Sequence, residues 1–305
     1  ILANMKAAIL LSSYNGENYI RQQIDSILAQ QCDIPFDLWV RDDGSTDSTH
    51  SILEGYAREG KLQWYTGENL RSAKSFLDLI LHCPGYDYYA FADQDDYWQP
   101  DKLSRGIACL QDPETPTLYF ANARLVGSQL EDLGRDVYKQ NPYEDYHTLL
   151  CQGGLLGCTM IFNGALARLV REAPQPQTLI MHDFYVAAVC ALFDGQILYD
   201  PTPVMLYRQH GNNVVGVSRG KLGALKSRFR QITQKEPISI AQQAASMLAC
   251  YPQIPAGEKL AWLKKVANYR NSFFSALSLA LSGKTRYCNK NKAITLRLAL
   301  LMRNR

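Results

Sequence analysis

Residues 6–47 read KAAILLSSYNGENYIRQQIDSILAQQCDIPFDLWVRDDGSTD, and this stretch decides the fold class. Lys6 to Ser12 is a short apolar run stopped by Ser13, Asn15 and Gly16. Glu17 to Gln30 then sets Ile20, Ile24, Ile27 and Leu28 at helical spacing. Phe36 to Val40 repeats the strand pattern, Asp42-Asp43-Gly44-Ser45 makes a turn, and Thr46 or Asp47 is placed to cap a helix running to about Glu59. The alternation continues with a strand at Leu62–Tyr65, a helix at Ser72–Leu81 and an aromatic-rich strand at Tyr86–Ala92. Repeated β-α units predict an α/β fold with a mostly parallel central sheet covered by helices on both faces.

Farther along the chain the regularity loosens. Short strands are expected at Thr117–Ala121, Cys158–Phe162, Gln196–Tyr199 and Val204–Tyr207, and helices at Gly164–Glu172 and Asp183–Phe193. Beyond Gly220 only helical periodicity remains, near Leu222–Thr233, Ile238–Ala249, Gly257–Leu281 and Lys292–Met302. The 305 residues therefore divide into an α/β unit, 5–218, and a basic helical C-terminal region, 219–305. Ile1–Asn4, ahead of Met5, is left outside this reading.

An apolar content of 47% against 20% charged residues excludes a disordered chain. The net charge of +3 hides an asymmetry. From Arg219 onward 17 Lys or Arg face only Glu236 and Glu258, whereas the first 218 residues hold 15 basic and 27 acidic side chains. A basic appendage on an acidic unit suits a polyanion or an anionic lipid surface, and equally a set of solvated helix faces. The eight cysteines show no CxxC pair or zinc-like spacing, so they are expected to be reduced and structural. With no secretory leader and no apolar run of membrane-spanning length, a cytoplasmic location is expected.

In open α/β sheets ligands bind beyond the carboxyl ends of the strands. Asn15-Gly16, Asp42-Asp43-Gly44-Ser45 and Asp93-Gln94-Asp95-Asp96 each follow an expected strand, so three loops distant in sequence should meet at one edge. Three carboxylates within four residues repel one another unless a cation or hydrogen-bond donors offset them. Hard oxygen ligands favour Mg2+ or Mn2+, which usually complete their shells with water and substrate phosphates. A solvated acidic turn capping a helix near Pro100 is the plainer alternative. A DxDx[TV] phosphatase loop is disfavoured by Tyr97 in the fifth place. In the Asp42–Asp47 turn, one carboxylate is suited to accept from a pyrimidine imide N–H while the other orients ribose or backbone.

These residues resemble the family 2 glycosyltransferases of GT-A fold, and among them the bacterial rhamnosyltransferase-like branch. The resemblance is carried by Ser13-Tyr14-Asn15-Gly16, Asp42 to Asp47, Phe91 to Trp98, Gly157-Cys158-Thr159-Met160, His182-Asp183-Phe184 and Tyr207-Arg208-Gln209-His210-Gly211-Asn212-Asn213. It implies inverting transfer of a sugar from a nucleotide diphosphate donor. It implies donor binding by Ser13, Tyr14, Asn15, Asp42, Asp43, Asp93, Asp95 and Arg208. It implies metal ligation by Asp95, Asp96 and His210, and Asp183 as the general base. It implies Gly157, Cys158 and His182 on the acceptor side; Gly153, Gly154 and Gly157 would allow close backbone approach there, or simply relieve packing strain.

The branch points to L-rhamnose from dTDP-L-rhamnose, added to a bacterial surface polysaccharide precursor on a lipid carrier. A UDP-hexose enzyme would show the same loops, because uracil and thymine offer the same imide hydrogen bond. A non-enzymatic basic binder of lipid or nucleic acid is the alternative from another class. Two positions depart from the family pattern: Arg71 stands where Gly is usual and Ser75 where Asn is usual. The last helix mixes Ile294, Leu296, Leu298, Leu300, Leu301 and Met302 with Lys292, Arg297, Arg303 and Arg305, which suits peripheral contact with the inner membrane face, a core helix or a homodimer contact.

Overall fold

The computed structural model describes residues 5–142, 144–210, 236–285 and 290–304. The expected helix at Leu222–Thr233 and the Gly211-Asn212-Asn213 segment lie outside the described residues. The chain runs β1 (Ala7–Ser13), α1 (Ile20–Leu28), β2 (Phe36–Asp42), α2 (Thr49–Arg58), β3 (Gln63–Thr66), α3 (Arg71–His82), β4 (Tyr88–Asp93) and β5 (Tyr97–Trp98). It continues through α4 (Lys102–Cys109), β6 (Thr117–Val126), β7 (Asp132–Asp136), α5 (Tyr146–Gln152), β8 (Ile161–Asn163), α6 (Gly164–Glu172), α7 (His182–Leu192) and β9 (Gln196–Arg208). Helices α8 (Ile240–Cys250), α9 (Glu258–Asn268), α10 (Phe273–Ala280) and α11 (Lys290–Leu301) follow.

The strands form one sheet in the order β3-β2-β1-β4-β8-β6-β9-β5, with β7 paired to β6. The β3-β2-β1-β4 half is parallel, as expected; β8 runs antiparallel between β4 and β6, while β6 and β9 are parallel. Successive residues in β1 and β4 face opposite sides of the sheet. Ala8, Leu10, Tyr89 and Phe91 enter one core with α3, α6 and α7; Ala7, Ile9, Leu11, Tyr88, Ala90 and Ala92 enter the other with α1, α2 and α4. The first core continues without a break into Ile240, Met247, Trp262, Leu263, Leu279 and Leu300, so the C-terminal helices share it.

Three local expectations change. Gln196–Tyr199 and Val204–Tyr207 are one strand, because β9 follows β6 across an irregular register that absorbs Pro201 and Thr202. The expected strand at Cys158–Phe162 starts as a 3-10 turn, Gly157–Thr159, before β8. The long helix expected at Gly257–Leu281 is interrupted by a 3-10 turn at Tyr269–Asn271, after which the Ser272 hydroxyl caps α10 by accepting from the Ser275 N–H.

Register sets the site. Ser13 pairs with Asp42, Ser12 with Asp93 and Asp42 with Thr66, so the loops after β1, β2 and β4 leave the sheet at one level.

Candidate active site

A cavity of about 630 Å³ opens where those loops meet. Its lining includes Tyr14, Asn15, Asp43, Asp93, Asp95, Gly157, Cys158, His182, Asp183 and His210, which joins most of the residues singled out in the sequence. A second cavity of about 410 Å³, lined by Glu144, Asp145, Tyr146 and Lys259 among others, shares none of them.

The Asn15 backbone takes φ 46°, a conformation asparagine tolerates better than most residues. Its N–H donates to the Ser45 hydroxyl, and its side-chain oxygen accepts from the Thr46 N–H. Gln94 ties the β1 loop to the β4 loop: its Oε1 accepts from Ser13 Oγ and the Tyr14 N–H, and its Nε2 donates to the Tyr14 carbonyl. Gln94 has no role assigned from the sequence, and only the loop-to-loop contact reveals its part.

The two adjacent aspartates of the β2 turn separate. Asp43 lines the cavity; its Oδ1 accepts from the Leu70 N–H and from Arg41, and its Oδ2 accepts from the Arg71 N–H. One lone pair of Oδ2 is left for an incoming donor. Asp42 does not line the cavity, which corrects its expected donor-binding place. It is fully buried, and its oxygens accept from the Gly44 and Ser45 N–H groups, the Ser45 hydroxyl and the His50 ring, so it builds the turn.

Ser13 and Arg208 are corrected in the same way. Ser13 is buried with its hydroxyl on Gln94, and its neighbour Ser12 faces the cavity instead. Arg208 is 1% exposed and does not line the cavity. Its guanidinium donates to the carbonyls of Asp95 and Ser128 and to Gln22 Oε1, and it lies 4.5 Å from the centre of the Tyr19 ring. Its own N–H donates to Asp96 Oδ1, so Arg208 braces the acidic loop from behind.

Within that loop the carboxylates divide again. Asp95 and His210 meet across the cavity, with Asp95 Oδ2 and His210 Nε2 2.7 Å apart and His210 stacked on Tyr19. Two ligand atoms at adjacent corners of an octahedral Mg2+ or Mn2+ shell stand about 3 Å apart, so this pair fits a divalent ion with little adjustment. Asp96, the third expected metal ligand, is fully buried and does not line the cavity. Its ligand atoms, with those of Asp93 and Cys158, lie within 4.8 Å of one another and form a second, deeper donor set. Burial pushes the Asp96 carboxyl well up, reinforced by the charges of Asp95 and Asp93. Asp93 is pushed up to about 7, by burial first and then by Asp95 and Asp183.

Lys102, which the sequence reading did not single out, lies under this cluster. It is fully buried, donates to the Cys158 carbonyl at 2.5 Å and sits 3.3 Å from the Trp98 ring centre; burial pulls its ammonium down to about 7. Its isolated position in the sequence carries no signal of this role.

Asp183 stands in the first turn of α7, with Met181 as the cap residue. Its Oδ1 accepts from the Phe184 N–H at 2.6 Å and its Oδ2 from the Gly157 N–H at 3.2 Å. Burial raises its carboxyl to about 6, with those bonds opposing the rise. A carboxylate with that affinity for a proton, facing a cavity, is suited to general-base work near neutral pH. Gly157 permits the approach: a Cβ there would lie 2.9 Å from Asp183 Cβ and from His182 Nε2. Gly153 and Gly154 take positive φ but do not line the cavity. Arg71 lines it with φ 62°, a left-handed backbone at the position where the resembled family carries Gly.

Residues 8–159 match the family model described as Glycosyl transferase family 2. The dTDP-rhamnosyl transferase RfbG of Shigella flexneri is 27% identical over 231 residues, 68% of this chain and 74% of that protein. Three further relatives at 29% identity are spanned over 60% of their length. Among solved structures, TarS of S. aureus in complex with UDP-GlcNAc aligns with TM-score 0.52 and 18% identity, over 92% of this chain and 77% of that one. The mannosyltransferase PcManGT from Pyrobaculum calidifontis, in complex with GDP-Man and Mn2+, aligns with TM-score 0.51 and 16% identity, over 97% and 74%.

Proposed function

The chain belongs to glycosyl transferase family 2 and has the GT-A fold, and from that premise we propose that it transfers L-rhamnose from dTDP-L-rhamnose, with inversion, to a hydroxyl of a bacterial surface polysaccharide precursor. The observation that carries the reading is the convergence of Asp43, Asp93, Asp95, His210 and Asp183 on one cavity. The named activity of the Shigella relative supports the choice of donor.

In this reading Asp43 selects the base through its remaining Oδ2 lone pair, and Tyr14 and Asn15 border the nucleotide. Asp95 and His210 hold Mn2+ or Mg2+, with Asp93 beside them. The ion supplies Lewis-acid stabilisation of the charge that develops on the departing diphosphate. Asp183 takes the proton of the attacking hydroxyl, and the N–H groups of Phe184 and Gly157 keep its carboxylate aimed. Gly157, Cys158 and His182 form the acceptor-side wall. Residues 5–218 are then the catalytic unit and 219–305 a helical unit appended to its core. Donor hydrolysis and transfer measured over a nucleotide-sugar panel with Mn2+ or Mg2+ test this. Turnover of dTDP-L-rhamnose is expected; turnover of UDP-hexoses alone would move the assignment to the second donor class, and no turnover of any donor with acceptor present would sink it.

The lipid-linked acceptor in this proposal calls for peripheral membrane contact. No described helix is long and apolar enough to cross a membrane. Phe273, Phe274, Leu281, Ile294, Leu298 and Met302 are exposed, and no acidic residue follows Glu258. That combination suits the interface of an anionic bilayer. Sedimentation with phosphatidylglycerol vesicles, reduced in a Phe273→Ser, Phe274→Ser double variant, is the expected result. A change of mass in light scattering without vesicle binding would assign the patch to a homodimer.

A further inference from the structure

We propose that His182 is a specificity residue that binds a sugar hydroxyl at the reaction centre, beside Asp183. The inference rests on the glycosyl-transfer reading above and names what the acceptor-side wall recognises.

His182 lines the cavity while only 3% exposed, and neither ring nitrogen has a hydrogen-bond partner among the described residues. At the cavity wall the Ser12 hydroxyl bonds that of Ser75 at 2.7 Å, and each oxygen of the adjacent Asp183 accepts from a backbone N–H. Burying a polar group without a partner is unfavourable, so an imidazole left this way at a cavity wall calls for a partner that enters with substrate.

The ring is held for such a task. It stacks on Phe76 with centroids 3.9 Å apart and meets Phe91 edge-on at 4.8 Å. Nε2 and Asp183 Oδ2 lie 2.9 and 3.1 Å from the point a Cβ on Gly157 would occupy, so imidazole and carboxylate stand side by side over that glycine, whose N–H holds Asp183. Chemistry selects the ligand. Burial pulls the imidazole down to about 3, so the ring is neutral and offers one donor and one acceptor. A phosphate or carboxylate would want two donors and a positive charge, whereas a hydroxyl gives and takes one hydrogen bond. The hydroxyl belongs either to the transferred sugar or to the acceptor, and the two arms of the test separate these sources.

The test compares wild type with His182→Phe, which keeps the packing on Phe76 and Phe91 and removes both nitrogens, and with His182→Gln, which restores an amide near Nε2. Thermal melts report folding. Calorimetry with Mn2+ measures dTDP-L-rhamnose, UDP-glucose and the bare nucleotides dTDP and UDP. Transfer is followed to a panel of p-nitrophenyl glycosides. Loss in His182→Phe of the extra affinity of a nucleotide-sugar over its nucleotide, by about tenfold, places the hydroxyl on the transferred sugar. Unchanged donor affinity with a tenfold higher acceptor KM and little change in kcat places it on the acceptor. Partial rescue by His182→Gln is expected in either case. A folded His182→Phe that matches wild type in both arms overturns the proposal. Should His182→Phe not fold, the same reading is taken from His182→Gln, and wild-type values there overturn it. Absence of donor binding by wild type would instead defeat the glycosyl-transfer reading.

Discussion

Replacing Asp183 with Asn should stop sugar transfer and make the protein more stable. The fold raises this carboxyl from its ordinary value of 3.8 to about 6, chiefly by burial. The folded state therefore holds the proton more tightly than the unfolded chain. Stability from this group is complete below about pH 4 and is lost as pH rises through about 6. Two pH units correspond to about 3 kcal/mol. The carboxylate is only half-buried at the cavity wall, and Asn can accept from the Phe184 or the Gly157 N–H but not both, so a net gain of about 1–2 kcal/mol at pH 7 is expected. That is about 2–3 °C in Tm for a chain of this size.

Catalysis moves the other way. Loss of a general base lowers transfer by about 10²–10⁴-fold, while metal-dependent binding of the donor should survive. The wild-type rate should also fall about tenfold per pH unit below 6 and level off above it. Calorimetry with donor and Mn2+, a melt at pH 7 and a pH–rate profile are sufficient. An Asp183→Asn protein that transfers sugar within tenfold of the wild-type rate would refute the base assignment. A lower Tm would refute the account of burial.

Asp95→Ala removes one of the two groups that meet across the cavity, and metal affinity should drop about 10–100-fold, with EDTA reproducing the loss of donor binding in wild type. Asp42→Ala leaves the Gly44 and Ser45 donors and the His50 ring without their acceptor, so urea unfolding should show a loss of about 2–4 kcal/mol. Gly157→Ala puts a Cβ 2.9 Å from Asp183 Cβ and His182 Nε2; transfer should fall by about 100-fold while nucleotide binding is retained, and single-turnover assays against calorimetry would check the pair.

Much of this molecule is legible residue by residue. The alternation of β1, α1 and β2 shows in 42 letters because side-chain periodicities of 2 and 3.6 are properties of neighbours in the chain. That the Asn15, Asp43 and Asp93–Asp95 loops converge also follows early, since parallel strands bring their carboxyl ends to one edge. Asp183 became a candidate through the motif around it, because an Asp near the start of a helix is otherwise explained by the helix alone.

Other assignments depended on contacts that no local pattern encodes. Asp42 and Asp43 are chemically identical neighbours, yet one closes the turn and the other faces the cavity, since consecutive residues at a strand end point in opposite directions. Asp95 and Asp96 divide as well, inside the turn between β4 and β5, where Asp95 faces the cavity and Asp96 is buried behind it. Arg208 became a brace because Gln22, Ser128 and the Asp95 carbonyl, remote in the chain, surround its guanidinium. Lys102 and His182 owe their character to burial, which arises only after distant elements pack around them. The order of letters thus carried the layers and the cleft, whereas the direction of each polar side chain, and with it the proton affinity of each acid and base, arose from long-range packing.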